Sequence, residues 1–519
     1  MTRHATTLGL SLSLLLSAGI ARAQDFPTDD PVIQRLWAEG MDRSQVYSLS
    51  QTLLDSLGPR LTGTPESDAA ADWVIRMYRS WGIEAYNEPY GTWDGWRRGT
   101  THVDLVRPRV RTLEATMLAW SPGTDGPVEG EVLALPRATS PADFPEFLGR
   151  VAGKFVLMNP AEVTCRPDDN WAEFGTDESI TRLETWRDDV DADWARRIEA
   201  SGLRPAELVT ALEEAGAAGI LTSRWSNGWG VQKIFSAGTE RVPTLDLSCE
   251  DYGLVFRLAE NGQGPVLRVD ARAESLGEVE VANTIGVIRG SELPDEYVLL
   301  SAHFDSWDGG SGATDNGTGT ITMMEAMRIL ATVHPRPRRT ILVGHWNGEE
   351  QGLNGSRAFA FDHPEIVEGM QALFNQDNGT GRVSRLSMQG LTEVAPYFAE
   401  WFSAIPRDLT QHVTMEIPGT PGGGGSDYAS FIWAGAPAFS LSSISWDYGT
   451  YTWHTNRDTF DKVVMDDLRN NAVLTAMLVY LAAEEADTLP RTRRVMPADP
   501  RTGIQREWPA CRDGTRRSR

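Results

Sequence analysis

Three apolar runs in the second half of the chain end abruptly in charge, and this limits the folds that can hold them. Tyr297-Val298-Leu299-Leu300-Ser301-Ala302 runs into His303-Phe304-Asp305. Ile341-Leu342-Val343-Gly344-His345-Trp346 runs into Asn347-Gly348-Glu349-Glu350, and Leu373-Phe374-Asn375-Gln376 runs into Asp377. A short run that is almost wholly apolar reads as a strand covered on both faces, which is the situation of a sheet flanked by helices. Strands are expected at 284–288, 297–302, 340–346 and 372–376. Helices are expected at 321–333 and 465–486, the latter on Leu468, Ala472, Met477, Leu478 and Leu481. From Val279 onward the alternation predicts a three-layer α/β domain.

In open α/β sheets, sites are built beyond the carboxyl ends of the strands. Carboxylates gathered there repel one another unless a cation holds them. Imidazole nitrogen and carboxylate oxygen are donors that zinc accepts, and a two-metal centre needs a bridging carboxylate. Asp315 is the natural bridge, because Gly312 and Gly317 flank it and let the backbone approach a metal closely. The second imidazole comes from His454, in Trp453-His454-Thr455-Asn456-Arg457-Asp458. His102, His334, His345, His363 and His412 lack such company and read as structural or exposed. Asp377-Asn378-Gly379 is also a turn signal, and Gly422–Gly425 reads most simply as a mobile loop.

The remaining chain divides by texture. Residues 1–23 carry Arg3, an apolar run from Leu8 to Ile20 and Ala21-Arg22-Ala23, the pattern of a secretory signal peptide. The expected location is therefore periplasmic or secreted, with no membrane span. Residues 24–125 open with a helix after Pro65-Glu66 that stops at Gly82, and form the N-terminal part of the α/β domain. Residues 126–272 have short β-like runs around an acidic stretch from Asp168 to Asp193, and read as an inserted β-rich domain. Residues 273–490 form the metal-binding part. Residues 491–519 are polar, arginine-rich and expected to be a loosely held tail. A net charge of −24 argues against nucleic acid or an anionic membrane as partner. Export would allow Cys165 and Cys249 to pair, leaving Cys511 over.

The segments HFDSWDGGSGATDNGTGT, WNGEEQGLNGSRAF, FNQDNGTG, GGSDYASF and WHTNRDTFDKV resemble the successive motifs of the dinuclear zinc exopeptidases. That family includes leucyl aminopeptidases, glutamate carboxypeptidase and the carboxypeptidase Q group, and the likeness is greatest to the last. The resemblance implies two zinc ions, one on His303, Asp315 and Asp377 and the other on Asp315, Glu350 and His454. It implies that Asp305 hydrogen-bonds the other nitrogen of His303, and that Glu349 is the general base for a water bridging the metals. It also implies a cis peptide between Asp315 and Asn316.

The expected activity is hydrolysis of a peptide or dipeptide near a terminus, of aminopeptidase or dipeptidase type. A homodimer is compatible with the likeness. Many members have His where this chain has Tyr428, and Tyr428, Tyr448 and Tyr451 are all candidates for steadying the oxyanion. Within 126–272, the pieces at 153–158, 215–220 and 242–248 resemble those of a protease-associated domain, and that resemblance implies a segment without catalytic residues that covers or restricts the cleft. Two alternatives stand beside this reading: a catalytically inactive binding protein on the same fold, which has no need of Glu349 and a full ligand set, and a single-zinc cyclase.

Overall fold

The computed structural model describes residues 26–137 and 141–518; the leader-like residues 1–23 lie outside them. The expected α/β domain is built on parallel strands. Arg339–Trp346 pairs in parallel with Leu293–His303, which pairs in parallel with Met370–Asn375, which pairs in parallel with Ala438–Ser443. Val383–Ser387 joins one side of this group antiparallel to Ala438–Ser443, and Val266–Ile288 joins the other antiparallel to Arg339–Trp346. Every residue of Arg339–Trp346 and Met370–Asn375 is buried, as strands covered on both faces must be. Helices Pro31–Asp42, Thr318–Val333 and Met465–Glu484 pack on one another to cover the sheet. Asn354–Asp362 packs on Tyr428–Ala434, with Trp346, Phe359 and Phe431 stacked between them and the sheet. Among the described residues no helix is long and apolar enough to cross a membrane.

The strand expected at 284–288 is the end of a much longer one. Val266–Ile288 pairs antiparallel with Glu84–Arg107 along nearly its whole length, making a two-stranded ribbon. Four register shifts interrupt it, three of them beside Gly91, Gly95 or Gly99. Its far end carries a second group of strands. Val128–Ala134 pairs with Val266–Ile288, and Phe155–Leu157, Gly219–Thr222 and Thr244–Leu247 follow in parallel. The whole is one 14-stranded sheet.

The segment expected to be β-rich also holds the 25-residue helix Asp177–Ser201. Its apolar pattern is sparse, since Leu183, Trp194, Arg197 and Ser201 are its buried residues. Arg197 ties it to the neighbouring Cys249–Glu260 helix through two bonds of 2.8 Å to Glu260. A disulfide between Cys165 and Cys249 closes an 84-residue span around the same excursion.

The C-terminal segment is docked rather than loose. Arg491 donates to the carbonyls of Glu368 and Met370, and the Trp508 indole donates to the carbonyl of Ile432. Arg516 forks onto Asp362 at 2.8 and 2.9 Å, while its carbonyl accepts the Thr92 N–H at 2.8 Å. Arginine density reads as solvated tail in a sequence, but here the guanidinium groups find carbonyls and carboxylates that no local pattern reveals.

Because the Asp177–Ser201 excursion buries little apolar surface, the cross-link should matter to it. Replacing Cys165 and Cys249 together by Ser is expected to cost about 2–4 kcal/mol, read as a lower urea midpoint. An unchanged midpoint would show that packing alone holds the excursion.

Candidate metal and catalytic site

Strand register brings the charged ends together. Trp346 lies opposite His303, and Asn375 lies opposite Ser301, so the three strands finish level and their next residues share one crevice. A polar lattice locks that level: the Trp346 indole donates to Ser301 Oγ, Ser301 Oγ donates to Asn375 Oδ1, and the Asn375 amide donates to Ser426. The fourth element is the loop Ala313–Gly317 that opens the Thr318–Val333 helix. The fifth is the turn after Tyr448–Tyr451, which carries His454.

The sequence-predicted residues fall into two groups that share Asp315. In one, His303 Nε2 lies 3.3 Å from Asp315 and 3.2 Å from Asp377. In the other, His454 Nε2 lies 3.3 Å from Asp315 and 2.8 Å from Glu350. One donor atom from each residue of a group lies within 4.8 Å of the other two. Asp315 Oδ2 and Glu350 Oε1 are buried without a hydrogen-bond partner. Unpaired buried carboxylate oxygens facing imidazole nitrogens form a donor set that suits a cation of the zinc type. None of these residues comes from 126–272.

Asp305 has a different contact from the one expected. The carbonyl of Asp305, not its carboxylate, meets His303 Nδ1 at 2.9 Å; the carboxylate stands 3.8 Å away. The carboxylate instead accepts the backbone N–H groups of Glu349 and Glu350 at 3.1 and 3.2 Å. With the carbonyl already on the ring, the side chain is left to order the turn that carries the two glutamates. Burial raises the Asp305 pKa, with His303 and those amides opposing it.

Three positioning contacts have no signature in the local sequence pattern. Asp458 accepts the N–H groups of Thr314 and Asp315 at 2.8 and 3.0 Å, and fixes the bridging loop from below. Asn316 donates to the Gln376 carbonyl at 2.9 Å, tying that loop to the Asp377 strand end. The Asp315–Asn316 peptide is cis, as the resemblance implies. Arg60, in the loop before Pro65–Ser80, is completely buried and donates to the carbonyls of Gly58, Phe304, Ser311 and Gly312. Burial lowers its pKa to about 10, against the pull of Asp458, Asp305, Asp315 and Glu350.

Glu349 lines a cleft of roughly 370 Å³ with Asp315, Glu350, Asp377, Tyr448 and His454. Burial raises its carboxyl well above the usual range; His303 opposes this, while Asp377, Asp427 and Asp305 add to it. Of the three candidate tyrosines, Tyr448 is the one on the cleft wall. The Tyr428 ring lies beside Gly422 and the Tyr451 ring beside Gly228. Burial holds the Tyr448 phenol well above its ordinary pKa, so it remains a proton donor. Gly424 and Gly425 form part of the rim, Gly424 at a φ of +108° that favours glycine. His345 is no ligand: Tyr78 bonds its Nε2 at 2.6 Å within the core, and burial lowers its pKa to about 3. His102, His334 and His363 each pair with a carboxylate elsewhere.

Comparison with known proteins agrees with this geometry. Residues 283–479 match peptidase family M28. Human (Homo sapiens) carboxypeptidase Q is 26% identical over 456 residues, covering 87% of this chain and 88% of that protein. The Bos taurus carboxypeptidase Q is 27% identical over 467 residues, covering 89% and 90%. Among solved structures, a peptidase M28 precursor from Shewanella amazonensis SB2B shares the fold with a TM-score of 0.63 at 23% identity, over 89% of this chain and 98% of that one. BSAP, a zinc aminopeptidase from Bacillus subtilis, does so at 0.54 and 18% identity, over 86% and 96%. Over residues 283–479 this chain is thus similar to peptidase family M28, and its fold is that of the solved M28 peptidase precursor.

Proposed function

We propose that the protein is a zinc-dependent exopeptidase of aminopeptidase or dipeptidase type, using two zinc ions and Glu349 as general base. The observation that carries this reading is the pair of donor groups sharing Asp315, with Glu349 on the wall of the same cleft. One ion would be held by His303, Asp315 and Asp377, the other by Asp315, Glu350 and His454. The chemistry that zinc supplies when bound is polarisation of the scissile carbonyl and a lowered pKa for an attacking water.

The chain's own residues do the rest. Glu349 takes the proton from the attacking water and passes it to the leaving amine. Asp305 keeps Glu349 and Glu350 in their turn through their amides, so one glutamate faces the metal position while its neighbour faces the reacting water. Tyr448 is the oxyanion donor in this reading, since its phenol stays protonated on the cleft wall. A cleft of this size suits a dipeptide or the end of a longer chain rather than the middle of one. The 126–272 segment is a protease-associated unit inserted in the peptidase. Action after export fits the leader-like residues 1–23 and the Cys165–Cys249 cross-link.

The Glu349→Gln variant is expected to keep its zinc and lose about 10²- to 10⁴-fold in kcat, measured on a panel of dipeptides and amino-acyl reporters. Near-normal turnover would remove Glu349 from the role of base. The Asp315→Ala variant is expected to fall below one zinc per chain by elemental analysis while keeping a native circular-dichroism spectrum. Retention of two zincs would exclude the bridge.

A further inference from the structure

His454 is held differently from His303. A metal-binding imidazole usually donates its second N–H to a carboxylate or carbonyl, which fixes the ring. His303 has such a partner in the Asp305 carbonyl. His454 Nδ1 is buried and has none. Its backbone also lies at a φ of +56°, a left-handed conformation that a side chain other than glycine adopts at a cost. Something else must hold both ring and backbone.

The holding contacts come from the 126–272 segment and from Trp453 and Trp307, both of which also meet its Phe235 ring. Phe235 meets the imidazole edge-on, with ring centroids 5.1 Å apart. Trp453 stacks on the imidazole at 3.9 Å, and Trp307 stands at 6.0 Å. The Ile234 N–H donates to the His454 carbonyl at 2.7 Å, and Lys233 bridges to Thr455. Lys233 Nζ donates to the carbonyls of Gly449 and Trp453 at 2.7 and 2.6 Å, and lies 4.5 Å over the Trp453 ring. Three consecutive residues thus grip the His454 turn from outside the peptidase sheet. In the other donor group, His303 and the strand end that leads into Asp377 are ordered by the parallel sheet.

We propose that Lys233, Ile234 and Phe235 are positioning residues for His454, so that the metal position on Asp315, Glu350 and His454 is completed only when the 126–272 segment is docked. The inference rests on the two-zinc reading above. It gives the segment a part in assembling the centre, beyond restricting access to it. Deleting the segment would therefore not spare the centre, although it supplies no ligand.

The test is zinc binding by chelator competition on the full-length protein, comparing wild type with Phe235→Leu, Phe235→Tyr and Lys233→Met. Wild type is expected to take up two equivalents. Phe235→Leu and Lys233→Met should each keep one tight equivalent and weaken the other by roughly 10- to 100-fold, the usual effect of losing an outer partner. Phe235→Tyr should restore wild-type binding. At limiting zinc, kcat of the first two variants should fall and recover on adding zinc, with KM unchanged; a merely structural role would move the melting temperature and leave affinity alone. Unchanged affinity for both equivalents in Phe235→Leu and Lys233→Met would overturn the proposal. So would loss of both equivalents together, which would mark a global effect. A wild type that takes up a single equivalent would instead overturn the two-zinc reading itself.

Discussion

Negative charge crowded into a largely buried crevice is the constraint around which this protein is arranged. Asp305, Asp315, Asp427 and Asp458 are all buried, and Glu349, Glu350 and Asp377 share their surroundings. Two carboxylates 4 Å apart repel by about 4 kcal/mol at the effective dielectric near a protein surface. The fold answers in three ways. Pairs of backbone amides point at Asp305 and Asp458. Two imidazoles face the shared Asp315. A buried guanidinium, Arg60, sits behind the bridging loop and gives its hydrogen bonds to carbonyls, so its charge remains to offset the acids. What these leave unpaired includes one oxygen each of Asp315 and Glu350 and both of Asp427, and a cation held by Asp315 and Glu350 would offset part of it.

The parts of this arrangement that could be read from sequence are those where polarity changes sharply along the chain. His303, Glu349, Glu350 and Asp377 stand out because apolar strands run into them, and Asp315 because glycines surround it. Arg60 and Asp458 do not stand out, since they act on backbone groups far away in sequence, and a lone arginine or aspartate in a loop looks like solvated charge. The long ribbon was legible only at its two ends, as a β-like run at 266–269 and a strand at 284–288; between them exposed residues and register shifts erase the period-two signal. The Asp177–Ser201 helix was hidden because it buries few residues, and the docking of the arginine-rich C-terminal segment because its partners lie on unrelated elements. That the main chain of Asp305, and not its carboxylate, meets His303, at 2.9 against 3.8 Å, is a detail that no motif encodes.

The two halves of the centre differ in origin. His303 and Asp377 grow directly from adjacent parallel strands, so their separation is set by sheet geometry. His454 hangs on a turn without strand support, and its orientation is borrowed from the residues around Phe235. The aromatic surround of His454 also lowers the local dielectric on that side, which strengthens the interaction of its ring with whatever charge it faces.

The ribbon of Glu84–Arg107 and Val266–Ile288 has a consequence for how such a sequence can drift. Along residues 272–280 its side chains are exposed or half-buried, so most single replacements there would disturb little. Its length is another matter. A slip of one residue turns every side chain to the opposite face and changes where the far strands, and the loop ending at Phe235, come to rest. Insertions and deletions would thus be purged from a stretch that freely accepts substitutions, leaving a segment variable in letters and invariant in count.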